Sequence, residues 1–328
     1  MTPQFHLYIA CCTADGGVAH AVLYDDGTLQ QIGFVSLPSP MYFALDGDRL
    51  HTLLCDPFQT GESGVTAVSL RPDGTLGKPA PVVPTGGGEA CFLSVADGNV
   101  FCANYQTGSV ARISENGALL VRSHTGHGTH KTRQDAPHPH YIAPSPDGKF
   151  LLCADLGTDT IITYDRDLCP LFSAKTPDGS GARHLVSSPD GRFVYAVGEI
   201  GNTVTVFSYE NGRLTPLETV NALPGDHAES FAAAVRLYDG KLYISHRGAD
   251  CVTAFTADGE RLMFEESVPS GGKWPRDFDW FGDFLVCTNE KSDSVTVLRR
   301  RDGGWTLCSS LALPRPLCVV GKGVAYGV

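Results

Sequence analysis

The sequence has neither the long apolar segments of a membrane protein nor the basic excess of a nucleic-acid-binding protein. It contains no run of ~18 apolar residues, so a transmembrane helix is not expected. Its 25 lysines and arginines stand against 36 aspartates and glutamates, and the formal charge of −11 argues against a large nucleic-acid-binding surface. A locally basic segment, RRRDGG at 299–304, is typical of a solvated hairpin loop. We therefore expect no membrane and no nucleic-acid partner.

Familiar metal and nucleotide motifs are also missing. The segment at 123–140 is rich in histidine, but its spacing through Gly and Thr does not look helical, and neither a Cys pair nor an HExxH pattern accompanies it. Its histidines are His124, His127, His130, His138 and His140. The GGGE segment at 86–89 lacks the GK[ST] and the helix that complete a phosphate-binding loop. We interpret both segments as loops and expect no metal and no other cofactor, with metal binding by the histidine-rich segment left open as an alternative.

The chain also lacks an export signal at its start. The segment MTPQFHLYIACC has no basic region and no long apolar stretch, and it already has the character of a strand. Eleven cysteines are an odd number, and many lie in predicted strands, where a reduced thiol behaves as a small hydrophobe. We therefore predict a reducing, cytoplasmic location.

A repeat runs through the chain. Three copies are clear at 140–165, 184–207 and 233–255, and each contains two apolar strands, a turn and a closing strand. The Pro-Asp-Gly segments at 146–148 and 189–191 suit tight turns, because Pro fixes φ and Gly tolerates a positive φ. The repeat therefore predicts a succession of small antiparallel sheets.

One position, six residues before the first apolar residue of the last strand, aligns the copies. We refer to the residues at this position as anchors. The clear anchors are Asn104, Asp155, Gly198, His246 and Asn289, at intervals of 51, 43, 48 and 43 residues. The same frame places Cys12 and, with a longer loop, Asp56 in the first two copies. Seven units of about 46 residues therefore fill the chain, a period typical of β-propeller blades.

The predicted fold is all-β, a seven-bladed β-propeller with four-stranded antiparallel blades around a central channel. The segment LCVVGKGVAYGV at 317–328 is too short for a blade, so we expect it to pair with the blade begun by FHLYIACC at 5–12 and to close the ring. One blade cannot bury both of its faces, so the ring must fold as a unit. We therefore predict a single domain over residues 1–328.

A few charged residues depart from the repeat. Glu199 and Arg247 directly follow the anchors of blades five and six, while His140 and Arg183 stand near the start of the first strand in blades four and five. Arg276 falls at that same position in blade seven. Equivalent positions in a propeller point in equivalent directions, so these side chains are expected to surround one end of the channel. Burying ionised groups without compensation costs several kcal/mol, so the cluster predicts a bound ligand.

The segments around these residues resemble a known family. The runs APHPHYIAPSPDG, GARHLVSSPDG, SHRGAD and WPRDFDWFGDFLVCTNE are similar to the seven-bladed lactonase family, which contains propeller-type 6-phosphogluconolactonases and fungal 3-carboxy-cis,cis-muconate lactonizing enzymes. The resemblance covers the whole chain and is strongest at 134–298. It implies four catalytic residues, His140, Arg183, Glu199 and Arg247. The chain departs from the family at Cys91-Phe92, where a Cys-His pair is common, and at Ala233, where an acidic residue is common.

The resemblance implies hydrolysis of a sugar lactone, with 6-phosphogluconolactone of the pentose phosphate pathway as the favoured substrate. Hydrolysis needs a base for water, donors for the oxyanion and a proton for the departing alkoxide. The base is expected to be Glu199 or His140. For Glu199, neighbouring arginines lower the pKa whereas desolvation raises it. The expected substrate-binding residues are Arg183, Arg247, Arg276 and His138.

Two other classes of function stay open. The same anion-binding residues would suit a muconate lactonizing isomerase or cycloisomerase. A propeller could also be a non-catalytic module that binds a partner on one face, because propellers host many unrelated functions. For the favoured function, the partner is a small anionic lactone. The sequence leaves the oligomeric state open, and the histidine-rich segment is interpreted as a loop over the channel mouth.

Overall fold

A computed structural model describes residues 1–225, 229–301 and 303–324. Within these residues the chain is almost entirely β-structure, with a short 3-10 turn at Glu290–Ser292. Residues 325–328 of the predicted closing segment and residue 302 of the basic run lie outside the described residues.

The strands follow one another in groups that correspond to the repeats. Blades one to four contain β1 (Pro3–Cys11), β2 (Gly17–Tyr24), β3 (Leu29–Ser36), β4 (Pro40–Asp46), β5 (Arg49–Leu54), β6 (Gly64–Leu70), β7 (Leu76–Pro79), β8 (Val83–Pro84), β9 (Ala90–Ala96), β10 (Asn99–Asn104), β11 (Ser109–Ile113), β12 (Leu119–Ser123), β13 (Pro139–Pro144), β14 (Leu151–Asp155), β15 (Thr160–Tyr164) and β16 (Pro170–Lys175). Blades five to seven contain β17 (Ala182–Ser187), β18 (Phe193–Gly198), β19 (Thr203–Glu210), β20 (Arg213–Asn221), β21 (Phe231–Tyr238), β22 (Lys241–Arg247), β23 (Cys251–Ala257), β24 (Leu262–Pro269), β25 (Pro275–Phe281), β26 (Phe284–Asn289), β27 (Ser294–Arg301) and β28 (Gly304–Ala312), and β29 (Pro316–Gly323) follows.

These strands form a seven-bladed β-propeller, as predicted. Each blade is an antiparallel meander, and the first strands of neighbouring blades contact one another around the channel. The ring closes where β29 pairs with β1 and becomes the innermost strand of blade one, which confirms the predicted closure. Blade two differs slightly, because two short segments, β7 and β8, share the outer edge of β6.

The core lies between blades. Ile9 and Val319 of blade one pack with Val286 and Val297 of blade seven, and similar clusters join the other neighbouring blades. Each sheet thus buries apolar side chains on both faces, which explains why the strands nearest the channel are apolar over most of their length. All eleven cysteines are free thiols. Within residues 1–225, 229–301 and 303–324, no helix has the length and hydrophobicity of a membrane span.

Buried polar residues end the second strand of several blades. Asn104, Asp155, His246 and Asn289 are fully buried and lie opposite the beginning of the inner strand. In blades one and two, strand pairing places Cys11 and Leu54 at this position, in place of the predicted Cys12 and Asp56. The difference arises because the equivalent residue is fixed by pairing with the inner strand, which the spacing of apolar residues does not report.

Candidate active site

A β-bulge lies at the start of the inner strand in blades two, three, four, five and seven. The second residue of the strand is left out of the ladder there, because the register shifts around it. These residues are Met41, Cys91, His140, Arg183 and Arg276. Bulges redirect side chains locally, so the same feature recurs around the channel. The structure thus brings three of the predicted site residues to equivalent positions.

A second ring of residues comes from the positions that directly follow the anchors. They are Cys12, Cys55, Tyr105, Leu156, Glu199, Arg247 and Glu290. Together the two rings surround a cavity of about 390 Å³ at one end of the channel. The cavity is lined by residues from both rings, including His140, Glu199, Arg247 and Arg276, and by loop residues such as Arg133 and Arg315.

The centre of the site is Glu199, which is held by three arginines. Its Oε2 accepts a bond from Arg183 Nε at 2.9 Å and lies 2.8 Å from Arg247 Nη2. Its Oε1 accepts a short hydrogen bond from Arg133. The carboxylate is almost fully buried, as are Arg183 and Arg247, whereas the Arg133 side chain is partly exposed. The charges therefore compensate one another within the wall of the cavity.

The charges around Glu199 determine whether it can act as a general base. Burial raises the pKa of Glu199, but Arg247 and Arg183 outweigh burial and hold it well below the usual range. The carboxylate is consequently ionised at neutral pH and is a weak proton acceptor. Its geometry suits the orientation of arginines better than general-base chemistry.

His140 has a different environment. It lines the cavity, its Nδ1 is buried without a hydrogen-bond partner within the described chain, and its ring lies 5.3 Å from that of His184. Burial and the positive charge of Arg183 hold the pKa of His140 well below its usual range, although Glu199 opposes the shift. The imidazole is therefore neutral at pH 7, the form that can accept a proton.

Two predicted binding residues do not face the cavity directly. Arg183 is 2% exposed and contacts the cavity through Glu199. Its guanidinium therefore holds the Glu199 carboxylate in position. His138 stacks on Tyr105, with ring centroids 4.5 Å apart, and its Nδ1 lies 2.9 Å from the Tyr105 carbonyl oxygen. Binding roles for these residues stay predictions, whereas Arg276 does line the cavity.

The histidine-rich segment reaches the site as a loop. Asp155 fastens both ends of this loop, since its Oδ2 lies 2.6 Å from His124 Nδ1 and its Oδ1 accepts the backbone N–H of His138 at 2.8 Å. His124 Nε2 also contacts the hydroxyl of Tyr164 at 2.7 Å. Among the described residues, no group of three or more His, Cys, Asp or Glu is arranged to hold a metal ion. The loop, held by Asp155, places Arg133 within hydrogen-bonding distance of Glu199.

Asp155→Asn is expected to loosen this loop. The change removes a buried charge-assisted hydrogen bond to His124, worth ~1.5–3 kcal/mol, so amide hydrogen exchange in the loop should accelerate ~10- to 100-fold. Exchange measured by NMR or mass spectrometry at 128–134 tests this. His127→Ala is the matched control, because exposed His127 has its one side-chain hydrogen bond among the described residues within the loop, to the Gly128 carbonyl. Wild-type exchange rates in Asp155→Asn would contradict a fastening role.

The structure adds residues that the repeat did not single out. Arg133 lies on the loop between β12 and β13, outside the positions that the repeat aligns. Arg315 lies in the turn before β29, and Glu89 belongs to the GGGE loop; both line the cavity. Glu89 and Arg315 adopt positive φ angles of 45° and 43°, which are unusual for residues with side chains. A feature of the sequence that could have indicated Glu89 is its place directly after three glycines.

Comparison with known proteins places this chain in one family. The sequence profile described as Lactonase, 7-bladed beta-propeller matches residues 6–321, and the chain belongs to that family. An uncharacterized protein of Staphylococcus aureus (strain N315) is 32% identical over 322 residues, which cover 89% of this chain and 91% of that protein. The resemblance inferred from the sequence is thereby confirmed.

Solved structures agree with this assignment. The periplasmic gluconolactonase of Pseudomonas aeruginosa superposes with a TM-score of 0.89 at 27% identity, covering 98% of this chain and 100% of that chain. A proposed 6-phosphogluconolactonase of Bacteroides fragilis gives a TM-score of 0.86 at 26% identity, covering 97% of this chain and 98% of that chain. Family membership and these neighbours support a lactone hydrolase.

Proposed function

We propose that the protein hydrolyses a phosphorylated sugar lactone, with 6-phosphogluconolactone as the substrate, in the cytoplasm. The observation that carries the proposal is the cavity in which a neutral histidine lies beside an arginine-bound glutamate. The family supports the reaction class. The excess of arginines supports an anionic substrate, because guanidinium groups bind phosphate and carboxylate with paired hydrogen bonds.

Ring opening requires a proton acceptor for the attacking water. We assign this role to His140, since Glu199 is held ionised by its arginines. As the water oxygen bonds to the lactone carbonyl carbon, His140 takes one proton of the water. The nearby carboxylate of Glu199 favours the imidazolium that results. The ring C–O bond then breaks, and the proton passes to the departing alkoxide, so that a hydroxy acid leaves the site.

The tetrahedral intermediate carries a negative charge on the former carbonyl oxygen. Arg247 and Arg133 line the cavity and offer N–H groups beside Glu199, so we assign them to that oxygen. Buried Arg183 donates to the same carboxylate, and so helps to position Arg247 and Arg133. The arginines are positioned before substrate arrives, because Glu199 fixes their guanidiniums.

The direct test is hydrolysis of 6-phosphogluconolactone by purified protein, measured above the buffer blank. We expect clear acceleration, and we expect Arg247→Lys to lower kcat/KM about 10-fold, because lysine keeps the charge but lacks the planar guanidinium that can donate paired hydrogen bonds to an anion. Arg299→Ala is the control, since Arg299 pairs with Asp283 and does not line the cavity. It should retain the wild-type rate.

The outcome also separates the other functions. Turnover of a carboxylated muconolactone without hydrolysis of the sugar lactone would favour an isomerase. If every lactone hydrolysed at the blank rate, the proposed reaction would be wrong and a binding role would be favoured.

A further inference from the structure

Two arginines of the cavity share a glutamate that lies apart from Glu199. Arg315 Nε lies 3.1 Å from Glu290 Oε1, and Arg276 Nη1 lies 3.8 Å from Glu290 Oε2. Arg276 comes from the inner strand of blade seven and Arg315 from the turn that enters β29 of blade one, whereas Glu199 and Arg247 belong to blades five and six. The two clusters therefore occupy different sectors of one cavity.

The guanidinium of Arg276 has few partners. Its Nη2 lies 3.8 Å from Met41 Sδ, and thioether sulfur is a weak acceptor. Its separation from Glu290 exceeds hydrogen-bonding distance, and Glu290 Oε2 is itself buried without a hydrogen-bond partner in the described chain. Within residues 1–225, 229–301 and 303–324, this guanidinium forms no hydrogen bond to an oxygen. Arg276 thus presents unused donors to the cavity.

Arg315 is held in place by its backbone. Its φ angle of 43° lies in the left-handed region, and its N–H donates to Asp293 Oδ1 at 2.8 Å. Residues with side chains keep such a conformation only where the surrounding structure enforces it. The strained turn directs the Arg315 side chain toward Glu290 and the cavity.

The charge around the cavity is unequal. Among the described residues of the two clusters and the cavity lining, there are more arginines than glutamates: Arg133, Arg183, Arg247, Arg276 and Arg315 against Glu89, Glu199 and Glu290. A phosphate monoester carries about −1.5 to −2 charge at pH 7, which matches an excess of about two positive charges. The three arginines of the Glu199 cluster all pair with Glu199, whereas Arg276 forms no hydrogen bond to an oxygen among the described residues, so the donors left for an added anion are those of Arg276.

We propose that Arg276 and Arg315, supported by Glu290, form a separate subsite for the phosphate of the substrate, while the Glu199 cluster and His140 receive the lactone ring. The inference rests on the proposed function for the identity of the sugar. It assigns substrate selection to blades seven and one, and ring opening to blades four, five and six.

Equilibrium binding tests the subsite independently of turnover. The probes are 6-phosphogluconate and gluconate, which differ only in the phosphate, together with inorganic phosphate, and calorimetry gives each Kd. In the wild type we expect 6-phosphogluconate to bind at least ~10-fold more tightly than gluconate, because charged hydrogen bonds to phosphate are strong. Arg276→Ala should weaken the binding of 6-phosphogluconate and of inorganic phosphate ~10- to 100-fold, and the binding of gluconate much less. Arg276→Lys should fall between, and Arg299→Ala should match the wild type.

Equal affinity of the wild type for the two sugar acids would overturn the proposal, as would an equal loss for both in Arg276→Ala. The failure of the subsite is distinguishable from failure of the reaction. Selective binding that depends on Arg276 in a protein that does not accelerate hydrolysis would support the subsite and contradict the proposed catalysis. Lactone hydrolysis without a preference for 6-phosphogluconate over gluconate would support the proposed catalysis and contradict the subsite. Thermal unfolding of each variant verifies that it is folded.

Discussion

Glu199→Gln is expected to lower the free energy of unfolding by about 3–5 kcal/mol, the usual cost of removing one partner from a buried ion pair. The substitution keeps the shape of the side chain but removes its charge. Arg183 would then remain buried without an ion-pair partner among the described residues, and Arg247 would lose its ion-pair partner Glu199. The rate of lactone hydrolysis should fall in the same variant, because both guanidiniums would lose their fixed orientation.

Denaturant unfolding at pH 7 measures this effect. Glu210→Gln is the matched control, since Glu210 is exposed at the end of β19. Its unfolding free energy should stay within about 0.5 kcal/mol of the wild type. Added phosphate should stabilise Glu199→Gln more than the wild type, because an anion can partly replace the lost carboxylate. A Glu199→Gln protein as stable as the control would show that the cluster does not depend on this charge.

The pH dependence of the same variant has a definite sign. The folded pKa of Glu199 lies well below the usual range, so its contribution to stability is complete above the ordinary glutamate pKa of about 4.3 and declines as pH falls toward the folded pKa. Glu199→Gln lacks this contribution at every pH. The stability difference between wild type and variant should therefore be constant from about pH 7 to pH 5 and should narrow in stronger acid.

The repeat explains why the positions of several candidate site residues could be predicted from sequence. Every blade has the same geometry, so a residue that departs from the repeat, such as His140 or Arg276, could be assigned to a particular ring position before its surroundings were known. The bulge at the start of the inner strand takes the residue at that position out of the strand ladder and redirects its side chain. The closing strand was predictable for the same reason, because a leftover apolar segment could pair only with an incomplete blade.

Other parts of the site depend on features that do not repeat. Arg133 lies on a loop whose path is fixed by Asp155, and a long-range contact of this kind has no periodic signal. Arg315 reaches the cavity because the ring closes beside it. The state of Glu199 is a balance between burial and the distances to its arginines, and only the folded chain sets those distances. For this reason the sequence left two candidate bases, whereas the geometry favours His140.

His140→Asn should reduce kcat/KM for the lactone by about 10²- to 10⁴-fold, the range that general acid–base catalysis contributes. Asparagine is polar and fits the space, but it cannot accept the proton from water. Because burial and Arg183 lower the pKa of His140, the wild-type imidazole is in its basic form throughout neutral pH. We therefore expect wild-type kcat, measured at saturating lactone, to stay level from pH 8 to about pH 6 and to fall only in stronger acid. Initial rates corrected for the blank at each pH measure both effects.

His184→Asn separates the chemistry from the structural cost of losing a buried histidine. His184 is the neighbour of His140, is also buried and also has a lowered pKa caused by burial and Arg183, yet it packs among Tyr42, Phe92 and Tyr141 and does not line the cavity. Both variants should lose stability, but His184→Asn should keep most of the rate. Comparable loss of rate in both would mean that packing, and not proton transfer, connects His140 to activity. A fall in wild-type kcat near the ordinary histidine pKa of about 6.5 would likewise contradict His140 as the base, because it would require a titrating group with a less perturbed environment.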